Sequence, residues 1–224
     1  GYRLEYDGKV LRLEPSSEAV PARFPHLRGK PVFRVRDGER LDEALRGKLS
    51  AVHVDPGGGL RHRTGVQIAG VLDDRFAAAA SALTYGPTFD GDRVTARLWA
   101  PTASSVKLQV FDQPGGTATT VDMARDDASG SWSASGAWRD RFYLFEVTVA
   151  GRAVTVTDPY SVALAVNSTH SQFADLGDAR TMPAGWAGHV ARGLDGDPTE
   201  HGITELHVRD FSIGDTTVPE PDRG

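Results

Sequence analysis

The chain has 224 residues, of which 39% are hydrophobic and 25% charged, and its formal net charge is −5. That length gives room for about one or two domains, each with its own core. Basic residues do not gather into a stripe, so nucleic acid is not an expected partner, and no apolar run approaches a membrane span. There is no cysteine, which excludes disulfides, thiolate metal sites and a cysteine nucleophile.

The first unit runs over residues 1–83 and reads as a small β-rich domain with one helix. Tyr2, Leu4 and Tyr6 alternate with Arg3 and Glu5, Asp7-Gly8 is a hairpin turn signal, and Val10, Leu11 and Leu13 return. Val32, Phe33 and Val35 predict a further strand. Leu41, Ala44, Leu45 and Leu49 have helical spacing. Ala51 to Val54 predicts a strand, and DPGGG at Asp55 to Gly59 a turn. The three glycines lack the lysine and Ser/Thr of a phosphate loop, so His53, His62 and this run are read structurally. Ala77 to Leu83 reads as a linker or helical turn, and Asp73-Asp74 as a loop or helix cap.

Residues 84–165 predict an immunoglobulin-like β-sandwich. Its opening is RLWAPTASSVKLQVFD at Arg97 to Asp112. Leu98 and Trp99 end one apolar run, Pro101 to Ser105 break it, and Val106, Leu108 and Val110 alternate with Ser105, Lys107 and Gln109. Thr119, Val121 and Met123 alternate again. Tyr143, Phe145, Val147 and Val149 share a face, Gly151 turns the chain, and Val154 and Val156 return. Short strands with turn signals between them predict two packed sheets. Residues 166–202, rich in Gly and Pro, predict a connector, and 203–224 open with a strand signal from Ile203 to Phe211.

Several longer motifs carry a resemblance. LWAPTA at Leu98 to Ala103, followed by an alternating strand, resembles the opening of the N-terminal sandwich in the debranching branch of the alpha-amylase superfamily. GVQIAGVLDD, VTDPYSVAL, NSTHSQFADLGD and ITELHVRDFSIGD, at Gly65, Val156, Asn167 and Ile203 onward, are similar to pullulanase-type α-1,6-glucosidases in the expected order. The resemblance implies a mainly β chain with two β-rich domains, the second like carbohydrate-binding module family forty-eight. Its end would be the first strand of a (β/α)8 barrel, a fold that needs about 250 residues. Because the chain starts at Gly1 with a strand-like YRLEY and ends on VPEPDRG, both ends read as cuts. No signal-peptide pattern is visible in these residues.

The chemistry expected follows from this. Retaining glycosidases need two carboxyl groups about 5 Å apart, and in the resembled family these sit on later barrel strands. No catalytic residue is therefore assigned here. Asp210 beside Arg209 reads as a structural ion pair. No GxSxG elbow is present to support a hydrolase triad. His189, His201 and His207 lack ligand spacing, and no cofactor is expected in these residues, although a calcium ion remains open for the parent enzyme.

Sugar rings stack on exposed aromatic faces while long polar side chains bind hydroxyls, so Trp138, Trp132 and Lys107 are the candidate carbohydrate-binding residues. Trp132 opens a strand after a turn and serves either the core or such a stack. Trp138 lies in a polar, turn-rich segment and is the aromatic expected to be exposed, whereas Trp99 is expected in packing. Glycogen-binding members of the resembled module carry one tryptophan after the second strand and another before the Asp-Pro motif. Here Gln113-Pro114 and Val154 to Thr157 occupy those places. The resemblance implies a non-catalytic region whose partners are α-glucan (pullulan, amylopectin, limit dextrin) and the catalytic barrel, in an exported bacterial protein. An autonomous starch-binding module and a ligand-free scaffold are the alternatives.

Overall fold

The computed structural model describes every residue except Arg23, Arg192, Leu194 and Asp195. It divides into Gly1–Thr181 and Met182–Gly224. In the first unit β1 (Tyr2–Tyr6) turns through Asp7 and Gly8 into β2 (Lys9–Ser16). Both turn residues have positive φ, 45° and 77°, the backbone of a two-residue hairpin whose twist matches its strands. There follow β3 (Val32–Val35), α1 (Leu41–Arg46), β4 (Ser50–Val54) and β5 (Leu60–Gly65). The sheet is antiparallel in the order β3-β2-β1-β4-β5. Helix α1 lies on the face carrying Leu4, Tyr6 and Leu11, and its Ala44 is fully buried there. The Tyr6 hydroxyl donates to the Glu43 carboxylate at 2.9 Å, fixing the helix on the sheet. The DPGGG run is a turn, with the Asp55 side chain accepting from Gly59 N–H at 2.8 Å.

A second helix, α2 (Ala69–Ala80), corrects the expectation of one helix and of a loop or helix cap at Asp73-Asp74, which lie inside it. Phe76 and Ala80 are buried on it and Val71, Leu72 and Ala79 half-buried, so a stripe at helical spacing faces inward, and its alanines favour helix. Arg75 anchors it to α1 through Asp42, with Nε to Oδ1 at 2.7 Å. Next to Arg75, Phe76 and Pro101 close on Gly130, whose φ is +68°. A Cβ there would lie 2.6 Å from the Pro101 Cβ.

The sandwich is built from β6 (Gly86–Asp90), β7 (Arg93–Trp99), β8 (Ser105–Phe111), β9 (Thr119–Asp122), β10 (Ala124–Asp126), β11 (Ser131–Ala137), β12 (Phe142–Val149), β13 (Arg152–Val156) and β14 (Ser171–Gln172). One sheet has the order β10-β11-β7-β6. The other is β13-β12-β8-β9, with β14 also pairing with β12. The expected alternation is the core itself: Val94, Ala96 and Leu98 from β7 face Val106, Leu108 and Val110 from β8 and Tyr143 and Phe145 from β12. The sandwich runs past residue 165, into the expected connector. Strand β14 lies on β12, and Phe173 is fully buried against Tyr143, their rings stacked at 3.9 Å.

A buried polar knot ties this extension down. The Tyr143 hydroxyl donates to Asp158 Oδ2 at 2.6 Å, Tyr160 N–H donates to Oδ1 at 2.8 Å, and Asp158 N–H donates to the Ser171 hydroxyl at 2.9 Å. Asp158 is 3% exposed. Burial pushes its carboxyl above the usual range, against the pull of the Tyr143 and Tyr160 donors.

In the second unit the expected strand from Ile203 to Phe211 is absent. Residues 201–207 have no regular structure, and α3 (Val208–Ser212) follows. Apolar alternation marks a strand only where neighbours complete its ladder, and no strand is present among the described residues of this unit. The local signal that wins is a cap: His207 Nδ1 accepts from Asp210 N–H at 3.3 Å. Asp210 and His207 also approach to 3.5 Å, a pairing not foreseen for either residue.

Candidate functional site

Lys107 stands on the outer face of β8, where period-2 alternation must place it if Val106 and Leu108 face the core. Register then sets a polar row across four strands: Asp122, Lys107, Glu146 and Thr155 are successive cross-strand neighbours on β9, β8, β12 and β13. Lys107 Nζ lies 3.9 Å from Glu146, and Gln109 Nε2 donates to the other Glu146 oxygen at 3.1 Å. This is a flat surface of donors and acceptors with no aromatic ring in the row.

The two candidate tryptophans do not join it. Trp132 is 7% exposed and belongs to the core, its indole N–H donating to the Ala100 carbonyl at 3.0 Å. A ring with its polar edge satisfied inside the sandwich has no face left for a sugar, which corrects its candidacy. Trp138 is half-buried rather than exposed. One side stacks on Phe173 at 5.9 Å, and its ring lies so close over Gly136 that a Cβ there would come within 2.3 Å. Its cover comes from Phe173, distant in sequence, so no local signal could show it.

Trp99, expected only in packing, has a face on a groove. Its indole N–H donates to the Ser129 carbonyl at 2.9 Å, which holds the ring at the sandwich end. With Val147, Val149, Val154 and Val156 it lines an apolar groove of about 410 Å³. The groove exists because the β12–β13 hairpin is dry at Tyr143 and Phe145 but opens along its length: Val149, Val154 and Val156 are 39–45% exposed. Such a contiguous apolar face marks a contact surface. Arg152 is the one charged side chain on its lining, and no carboxylate pair is present there.

The other charged cluster is a bracket of arginines and aspartates at the opposite end. Arg139 reaches Asp175 and Asp178, both at 3.2 Å, and Arg180 pairs with Asp178 and Asp140 at 2.7 and 3.0 Å. The Arg180 side chain, chiefly, brings the Asp178 carboxyl down to about 2. Each carboxylate is paired with a guanidinium, so the bracket orders a loop. Among the described residues no group of three or more His, Asp or Glu side chains is placed to hold a metal.

Comparison with known proteins adds the following. Residues 2–74 match the family model of the pullulanase N2 domain, and residues 84–161 that of carbohydrate-binding module 48, the isoamylase N-terminal domain. A pullulanase of Klebsiella pneumoniae is 39% identical over 233 residues, covering 98% of this chain and 21% of that protein. The chloroplastic pullulanase 1 of Arabidopsis thaliana is 31% identical over 237 residues, covering 97% and 24%. A maltotriose complex of a Klebsiella pneumoniae pullulanase superposes with a TM-score of 0.81 at 36% identity, covering 99% of this chain and 27% of that one. The chain therefore spans about a quarter or less of the relatives' length.

Proposed function

We infer from the chain's homology to the N-terminal region of pullulanases, an N2 domain followed by a carbohydrate-binding module 48, that it is the non-catalytic part of a debranching glycoside hydrolase. The whole enzyme would cleave α-1,6-glucosidic linkages in pullulan, amylopectin and limit dextrins. This region would support the catalytic barrel and contact the glucan. Export to the medium, where polymeric α-glucan is met, is part of the same proposal, and so is a calcium ion in the parent enzyme.

The observation that carries the supporting role is the groove beside Trp99. It is apolar, open and attached to a rigid hairpin, which suits a protein face better than a sugar. In the second unit Ile203, Val208 and Phe211 are 93%, 74% and 75% exposed, apolar surface of the same kind. The test has two parts. The purified chain, free of other glycosidases, releases no reducing sugar from pullulan, and any release overturns the reading. Mixed with a pullulanase catalytic barrel lacking its N-terminal domains, the chain associates in analytical ultracentrifugation, and Val154→Asp weakens that association. Equal association by the variant removes the groove from the interface.

A second reading, an autonomous starch-binding module, is favoured by the polar row Asp122–Lys107–Glu146–Thr155, which presents paired donors and acceptors to solvent. Calorimetric titration with β-cyclodextrin tests it through Lys107→Ala, which would lose binding.

A further inference from the structure

We propose that the cleft along β6, floored by Tyr85 and Tyr160, is an α-glucan subsite separate from both the polar row and the Trp99 groove. The proposal deepens the reading that this region contacts glucan and rests on it. The cleft measures about 330 Å³, at the small end of ligand sites and of disaccharide rather than polypeptide size. Its residues come from three separated segments: Tyr85 and Phe89 beside or on β6, Tyr160 and Val162 after the Asp158 knot, and Asp175 and Leu176 beyond β14.

The floor is built before any ligand arrives. The Tyr85 and Tyr160 rings stack at 5.2 Å with their planes 21° apart. Tyr85 is pinned through its hydroxyl, 3.1 Å from the Ala80 carbonyl and 2.8 Å from the Ser131 hydroxyl. Tyr160 is held from the backbone side by its N–H bond to Asp158. Tyr160 remains 42% exposed, and among the described residues its hydroxyl has no hydrogen-bond partner. A pyranose puts its C–H face on such a ring and its hydroxyls around the rim.

The wall supplies acceptors for those hydroxyls. Asp175 Oδ2 is 3.2 Å from Arg139 and Oδ1 accepts Gly177 N–H at 2.9 Å, so each oxygen is oriented yet keeps a lone pair. Arg139 also lies over the Phe89 ring on the cleft lining, its guanidinium 5.1 Å from the ring centre. Arg139 and Arg180 together offset most of the charge of Asp140, Asp175 and Asp178, which suits an uncharged polyhydroxyl ligand. Stacked rings, an oriented carboxylate and an apolar shoulder at Val162 and Leu176 together describe a sugar, and lack the donors that an anionic ligand needs.

The test is an NMR titration of the chain with maltoheptaose, read at backbone amides, with cellohexaose as the β-linked control. Shifts centred on Tyr85, Phe89, Tyr160 and Gly177 are expected with the α-linked sugar alone. Tyr160→Ala, shown folded by its amide spectrum, loses about tenfold or more in affinity, and Tyr160→Phe, which keeps the ring, loses less than about fivefold. Shifts confined to Lys107, Glu146 and Thr155, or undiminished binding by Tyr160→Ala, overturn the cleft and leave glucan contact standing. No shift up to the solubility of the sugar overturns both.

Discussion

Removing one oxygen from the Tyr143–Asp158 knot should cost more than its size suggests. In Tyr143→Phe the ring stays in its stack with Phe173 and no cavity of consequence opens. What is lost is a 2.6 Å hydrogen bond to a carboxylate 3% exposed, whose other oxygen has only the Tyr160 amide. A hydrogen bond to a buried charged group contributes about 1.5–3 kcal/mol. For a unit of this size that corresponds to a fall of about 3–12 °C in Tm. The deficit should depend on pH. Burial raises the folded Asp158 carboxyl above the ordinary 3.8, while the Tyr143 hydroxyl lowers it. A raised carboxyl keeps its proton where the unfolded chain has lost it, so stability falls as pH rises through that window and is least above the folded pKa. Deleting the hydroxyl raises the carboxyl further. The variant's deficit should therefore be small below about pH 4 and grow toward neutral pH. Urea unfolding of both proteins across that range measures it. A loss under about 0.5 kcal/mol, or one independent of pH, would refute the reasoning.

Three further outcomes follow from the same geometry. Phe145→Ala, at a fully buried position between the sheets, should destabilise by about 3–5 kcal/mol in denaturant unfolding. Gly130→Ala meets both a φ of +68° and the Pro101 Cβ at 2.6 Å, so a loss of about 1–3 kcal/mol is expected, measured by calorimetry. The Arg139–Asp178–Arg180 bracket stabilises its loop fully above the ordinary carboxylate value of 3.8 and loses that contribution as pH falls through about 2. Hydrogen exchange at Gly177 and Arg180 should accelerate beyond its intrinsic pH trend over that interval, and an unchanged protection factor would count against the bracket.

The sheets were legible wherever one face is dry and the other wet. Val106, Leu108 and Val110, or Tyr143 and Phe145, announce their own strands, and Asp7-Gly8 its own turn. Helix α2 was less so: Leu72, Phe76 and Ala80 fall at helical spacing, but the alanine run after Phe76 also fits a small-residue linker. Ile203 to Phe211 shows the opposite failure: alternation is present, yet among the described residues no neighbouring strand completes a ladder with it. Surface roles were harder still. Lys107 was placed on an outer face by spacing alone, but the cover over Trp138 comes from Phe173. The partnership of Tyr85 with Tyr160 joins segments that no spacing rule connects.

The knot has a consequence for how the chain can be cut and extended. Asp158 and Ser171 bond each other at the base of the excursion between them, and Leu164 bridges back to Ser171. The tip beyond that bridge is exposed at Val166, 84%, and holds Asn167 and Ser168 in left-handed backbone. A loop tied at its neck transmits little of what happens at its tip. Insertion or proteolytic nicking at Asn167–Ser168 should then cost little more than the entropy of a longer loop, about 0.6 kcal/mol for each doubling. That makes the tip a port for a fluorophore, a tag or an inserted domain.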